Sequence, residues 1–191
     1  MVENAFTSTG CLFRVDPSIG NFRVRTLEEK YVKKGTLAEP GATEFDLAEL
    51  EERLGLPLCP SYRALLQASN GFGVFGEHVG KLLSAKEVDW YRRRNPDLAR
   101  DRESWLRAGN PNKPPYAHDP EWRVDIPLRS VEIAEDFDAC ELILYPKPTS
   151  LGSEWQVWLG ITGGFIRYET LPDYVDYTTE EFERQVRGGS P

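Results

Sequence analysis

Two acidic runs hold the residues whose types and spacing best suit chemistry on a partner. Glu132–Glu141 carries Glu132, Glu135, Asp136, Asp138 and Glu141 with no Lys or Arg among them. Glu169–Glu183 carries Glu169, Asp173, Asp176, Glu180, Glu181 and Glu183, again with no base, and interleaves Tyr174 and Tyr177. Carboxylates at this density steer a basic protein surface, and aromatic rings among them anchor it after encounter. The candidate partner-binding set is therefore Glu135, Asp136, Asp138, Glu141, Asp173, Tyr174, Asp176 and Tyr177. The same acids fit a solvated loop and a solvated helix face, so both readings stand at this level.

Catalytic constellations are scarce. There is no Gly-x-Ser-x-Gly elbow, no His-Glu-x-x-His and no Gly-Lys-Ser/Thr phosphate cradle. The two histidines, His78 and His118, lie apart and without a Cys or His at ligand spacing. Gly71-Phe72-Gly73-Val74-Phe75-Gly76 fits G-x-G-x-x-G by letters. Yet a helical pattern precedes it where the dinucleotide fingerprint needs a strand, so it reads as a glycine-rich turn. Cys11, Cys59 and Cys140 are odd in number and widely spaced, which suits neither a disulfide framework nor a zinc set. The expectation is no catalytic residue, no metal and no cofactor.

Charge narrows the partners. The 191 residues carry 23 basic and 31 acidic side chains, a net charge of −8. That balance argues against direct nucleic-acid binding, which needs clustered cations against phosphate. Lys81–Arg107 runs the other way, with Lys81, Lys86, Arg92, Arg93, Arg94, Arg100, Arg102 and Arg107 against five acids. It reads as a solvated face laced with local ion pairs, or as a patch for phosphate or an acidic protein. The N-terminus lacks a basic-then-apolar signal pattern, and the longest uncharged runs are too short to span a bilayer, so the chain reads as a reduced cytoplasmic protein with no membrane partner.

The elements that must position these residues are organised around Glu44–Phe75. Leu47, Leu50 and Leu54 form one helical stripe, with Thr43 and Asp46 as a capping pair and Gly55 at the far end. Pro60 suits the first turn of a second helix whose face is Tyr62, Leu65 and Leu66, stopped by Asn70-Gly71. Upstream, Leu12 to Val24 suggests short strands, Thr26–Lys34 a helical turn, and Thr36–Thr43 a linker. Downstream, Ser84 and Glu87 form a capping box for a helix using Val88, Trp90 and Tyr91. Leu98 to Leu106 reads as a further short helix, and Gly109–Pro120 as a loop. Val131–Ile133 reads as a strand, and Leu142–Tyr145 as one stopped by Pro146. Trp155–Ile161 alternates, and Gly163-Gly164 turns it into Phe165–Tyr168, which predicts an antiparallel sheet with one buried face. The chain closes on a helix with Tyr174, Phe182 and Val186 on its face and Thr179 as its cap. One domain fits this length, divided as a 1–43 extension, a 44–187 domain and a 188–191 tail.

Three blocks in this order resemble the SUKH superfamily, which includes the fungal Smi/Knr cell-wall regulator and bacterial immunity proteins. The first is Leu54-Gly55, Pro60-Ser61-Tyr62-Arg63-Ala64-Leu65-Leu66 and Asn70-Gly71, with Leu58-Cys59 where Leu-Pro is usual. The second is Leu82-Leu83-Ser84-Ala85-Lys86-Glu87-Val88 with Trp90-Tyr91 and Asn95-Pro96-Asp97-Leu98. The third is Leu142-Ile143-Leu144-Tyr145-Pro146, Glu154-Trp155-Gln156-Val157-Trp158 and Arg167-Tyr168. The resemblance covers Glu44 to Val186. It implies an α+β fold, a curved and mainly antiparallel sheet flanked by helices, with no catalytic residues. It also implies a protein partner: a cognate toxin domain, often a basic nuclease, covered by an immunity protein. The alternative it leaves open is a regulatory or scaffold protein of the Smi/Knr type with no toxin.

Overall fold

A computed structural model describes residues 36–74, 79–109, 120–135, 140–148, 152–161 and 164–186. The strands expected between Leu12 and Val24, the turn at Thr26–Lys34, His78 and His118 lie outside these residues. The chain opens with α1 (Glu44–Leu54) and α2 (Pro60–Ala68). Thr43 caps α1: its hydroxyl accepts the Asp46 N–H at 3.2 Å, and Asp46 returns a carboxylate to the Thr43 N–H at 2.9 Å. Gly55 ends the helix at φ 72°, a conformation that costs a residue with a Cβ. Pro60 begins α2, where its missing N–H has no helical partner to lose. The expected stripes are the buried ones. Leu47 and Leu50 are 0% exposed and join Leu54, Tyr62, Leu65 and Leu66 in the main core. Each such leucine contributes roughly 1.5–3 kcal/mol of burial.

The segment before α1, expected as a linker, is stitched to the body of the fold. Ala38 bridges Phe72, and the Ala42 N–H donates to the Leu66 carbonyl at 2.8 Å. A Cβ on Gly41 would lie 1.9 Å from the Gln67 carbonyl oxygen, so this close approach needs glycine.

Two antiparallel sheets follow among the described residues. The small one pairs β1 (Phe72–Val74) with β2 (Lys81–Leu82). The larger has the order β3-β4-β5-β6-β7, from β3 (Asp89–Trp90), β4 (Val131–Glu132), β5 (Leu142–Pro148), β6 (Trp155–Ile161) and β7 (Gly164–Tyr168). Between β3 and β4 lie α3 (Tyr91–Arg94), α4 (Pro96–Arg107) and a single 3-10 turn at Pro127–Arg129. Helix α5 (Leu171–Val186) closes the chain against β6, β7 and α2. The expected α+β architecture is therefore the observed one.

Four local expectations change. Ser84 and Glu87 do bond, with the Ser84 N–H and hydroxyl donating to the carboxylate at 2.9 and 2.6 Å. They close a turn rather than a helix, because Asp89–Trp90 is drawn into the sheet opposite Glu132 and Val131. Strand β5 runs past Pro146 to Pro148 with a bulge. Its β4 partner ends at the Val131–Leu144 pair, so a proline there withdraws no N–H from that ladder. Ile161 pairs with Gly164, so the β6–β7 connection is 162–163, one residue earlier than expected and outside the described residues. Finally, β6 is buried on both faces. Val157 and Leu159 enter the main core, while Trp158 enters a second one with Tyr91, Trp122, Ile126, Ile143 and Phe165. The residues between β3 and β4 supply that second cover.

Glu87 yields a pH prediction. Burial alone raises its carboxyl, but the Lys81 ammonium at 2.6 Å and the two Ser84 bonds outweigh it and hold the pKa down at about 2, against an ordinary 4.5. A depressed carboxylate favours the fold above the unfolded value and loses that advantage as pH falls through the folded one. Glu87→Gln is expected to melt below wild type at neutral pH. The gap should close as the pH falls from 4.5 towards 2. Thermal melts across that range check this; a gap that ignores pH assigns the effect to packing.

Candidate partner-binding surfaces

The first acidic run divides between the interior and the surface. Glu132 sits on β4 with its side chain 6% exposed, where it accepts Arg94 Nε at 2.6 Å and Asn95 Nδ2 at 3.0 Å. Burial pushes its carboxyl above the usual range against those bonds. Glu141 lies just before β5 with its side chain 13% exposed. Both its oxygens accept Arg102 Nη2, at 3.0 and 2.9 Å, and the Tyr91 hydroxyl donates to one at 2.8 Å. Arg102 lies within 6 Å of the Tyr91, Trp122 and Phe165 ring centres. Aromatic faces and a bidentate carboxylate together satisfy a guanidinium removed from water. Glu141 is thus engaged inside the molecule. Glu135 is exposed, with its carboxylate 3.7 Å from Lys81 Nζ. Asp136 and Asp138 lie outside the described residues.

The basic run Lys81–Arg107 supplies the other half of these pairs. Arg94 and Arg102 reach inward to Glu132 and Glu141. Arg93 meets Asp89 at 3.1 Å and Arg100 meets Asp97 at 3.1 Å on the surface. The run is therefore largely consumed by the chain's own carboxylates.

The second acidic run forms α5 and is ordered by it. The cap is Thr170 rather than Thr179: the Thr170 N–H donates to Asp173 Oδ2 at 2.9 Å, and its hydroxyl does so at 2.8 Å. Thr179 sits inside the helix, donating its hydroxyl to the Val175 carbonyl at 2.8 Å. Asp173, Asp176, Glu180 and Glu183 are all exposed. Their spacing of three, four and three residues stacks them along one side of the helix. Leu171, Tyr174 and Thr178 are buried on the side facing the sheet. Tyr174 is 2% exposed and belongs to the core. Tyr177 is half-buried with its ring 5.5 Å from Tyr168, at the flank of the acidic stripe. Of the eight candidate residues, α5 brings Asp173, Asp176 and Tyr177 to one surface, and it leaves Glu135 and Glu141 elsewhere.

Other candidates have ordinary settings. Gly71 adopts φ 101° and β1 follows it directly, so the glycine run is a turn into a strand. The Cys59 thiol is pushed up to about 11 by burial, a value that suits an inert core thiol. Among the described residues, no group of three His, Cys, Asp or Glu is placed to hold a metal ion. No helix among them is long and apolar enough to cross a membrane. Linear reading marked Arg92 and Arg93 within a basic run that could meet phosphate or an acidic protein, but it did not join them to Arg129 and Lys147, with which they line a basic cleft. That joining has no local signal, since the cleft's walls come from segments far apart in the chain.

No curated relative matches the chain. A family model does match, over residues 41–183, which takes in α1 through nearly all of α5. That match spans both sheets and about three-quarters of the sequence: the chain belongs to the SMI1 / KNR4 family (SUKH-1).

Proposed function

We propose that this chain is an immunity-type binding protein that neutralises a basic partner toxin by covering it, acting by association rather than by catalysis. The observation that carries the reading is the exposed stripe Asp173, Asp176, Glu180 and Glu183 on α5, backed by the half-buried Tyr177. Family membership supports it. A rigid helix presenting carboxylates at regular intervals raises the encounter rate with a basic surface and blocks a site built for phosphate. Asp136, Asp138 and Glu135 are a secondary acidic contact in the same reading.

Affinity purification of the chain from its native host tests it. Expected is recovery of a basic toxin domain, lost with rising salt. Asp176→Lys with Glu180→Lys should weaken capture by about tenfold or more. Asp173 is left intact because it caps the helix. Salt-sensitive capture that ignores the double substitution would move the contact off α5. Recovery of housekeeping proteins alone would turn the assignment to a regulatory scaffold.

A further inference from the structure

We propose that a second surface, the cleft between the β3 edge and the free end of β5, docks an acidic-apolar segment of a protein partner. The cleft holds about 700 Å³ and is lined by Trp90, Arg92, Arg93, Leu128, Arg129, Tyr145, Pro146 and Lys147. Four cations face it, of which Arg93 also meets Asp89 at 3.1 Å, and none of its lining residues among those described is acidic. In a chain of net charge −8 that concentration runs against the bulk composition.

The walls are set by the fold. Strand β4 ends opposite Leu144, so on that side Tyr145–Lys147 of β5 has no neighbour strand among the described residues and forms the floor. Arg92 is braced across the cleft by its Nε donating to the Leu128 carbonyl at 2.9 Å. It has no carboxylate partner among the described residues. Trp90 is held by its indole N–H donating to the Leu54 carbonyl at 3.2 Å. Arg129 and Lys147 make long ion pairs, at 3.6 Å to Asp125 and 3.7 Å to Glu121, and both side chains are more than half exposed, at 64% and 54%. Exposed pairs of this kind are worth little, so a ligand carboxylate can compete for both cations. An adjoining hollow of about 270 Å³ shares Arg129, Tyr145 and Lys147 but adds Arg123 together with Glu121 and Asp125, so acids enter its lining as they do not in the main cleft.

The chemistry of the lining selects the occupant. Guanidinium groups pair carboxylates bidentately. The floor and sides offer Trp90, Leu128, Tyr145 and Pro146, which a free phosphate would leave unused. A nucleic-acid strand would meet the cations too, but each further phosphate would meet the repulsion of a net-negative protein. A polypeptide alternating acidic and apolar side chains matches both halves of the lining. This surface is independent of the α5 stripe. Leu171 and Tyr174 of α5 pack on the sheet face that carries Leu142, Leu144 and Val157, whereas Tyr145 packs on the opposite face with Trp158.

Fluorescence anisotropy with a labelled peptide of alternating Glu and Leu tests the proposal on the full chain. A Gln-for-Glu version, an oligothymidylate and inorganic phosphate serve as the comparison probes. The Glu peptide is expected to bind, and the Gln version about tenfold more weakly or worse. Arg129→Glu with Lys147→Glu should cut affinity by a similar factor and leave the melting temperature unchanged, since both side chains are exposed. Asp176→Lys with Glu180→Lys should leave peptide binding intact, which separates this site from the α5 reading. Equal binding of the two peptides, no binding, or indifference to the Arg129 and Lys147 reversals overturns it. Tighter binding of the oligonucleotide makes the cleft a single-strand site. Full displacement by millimolar phosphate makes it a small-anion site. Either result also overturns the peptide assignment.

Discussion

Arg102→Ala is expected to destabilise the protein by about 3–5 kcal/mol, the cost of leaving one member of a buried pair alone. The substitution removes both bonds to Glu141 and leaves that carboxylate with the Tyr91 hydroxyl as its remaining side-chain partner. It also opens the space among the Tyr91, Trp122 and Phe165 rings that the guanidinium occupies. Urea denaturation should show the midpoint fall steeply with the slope unchanged. The double substitution Arg102→Met with Glu141→Leu is expected to recover most of the loss, because a well-packed apolar pair replaces two desolvated charges without leaving either exposed to low dielectric. A single-variant loss below about 1 kcal/mol would mean that water screens the pair as it does at a surface.

Trp158→Ala should cost a comparable amount, about 3–5 kcal/mol, by emptying the centre of the second core. Trp158 is 0% exposed, and its ring centre lies 5.5 Å from Trp122, itself stacked on Phe165 at 3.6 Å. Trp158→Phe separates shape from polarity. The buried indole N–H has no hydrogen-bond partner among the described residues. Phenylalanine keeps an aromatic wall for Trp122 and removes that unmatched donor, so its cost is expected to stay below about 1.5 kcal/mol. Near-ultraviolet circular dichroism of the alanine variant should lose the aromatic signal while the far-ultraviolet signal persists. A phenylalanine variant as damaged as alanine would show that the indole's size, rather than its ring contact, holds the core.

The parts of this fold legible in the sequence are those decided by neighbours within a few residues. Thr43 with Asp46, Gly55 and Pro60 each solve a helix-end problem on the spot, so α1 and α2 were readable. The alternation of Trp155–Ile161 was readable as a strand for the same reason. What escaped was decided at a distance. Ser84 and Glu87 make the bonds of a helix cap, but the ladder to Glu132 and Val131, more than forty residues on, takes the chain into a strand. The double burial of β6 depends on Trp122 and Ile126 arriving from elsewhere. Among the acids, Glu141 and Asp176 look alike in sequence. Arg102, 39 positions from Glu141, turns one inward, and helical phase turns the other outward. Thr170 was legible in principle, since Thr-x-x-Asp is a capping pattern. The Glu pair after Thr179 offered a competing signal that the buried Thr178 and Tyr174 overrule.

The pairing of Trp90 with Val131 has a consequence for chain length. The chain leaves the sheet after Trp90 and re-enters it at Val131 on the same rung, and the Tyr91 N–H meets the Ser130 carbonyl at 2.9 Å at this neck. Where such an excursion is not packed it can lengthen or shorten while its attachment points stay where they are, since the entropy of closing a loop grows only slowly with its length. Arg92, Arg93 and Arg129, three of the four cations of the basic cleft, sit at its two ends. The excursion is thus anchored twice, at this neck and again where Tyr91, Arg102, Trp122 and Ile126 close over β6, so length can change cheaply only between those anchors.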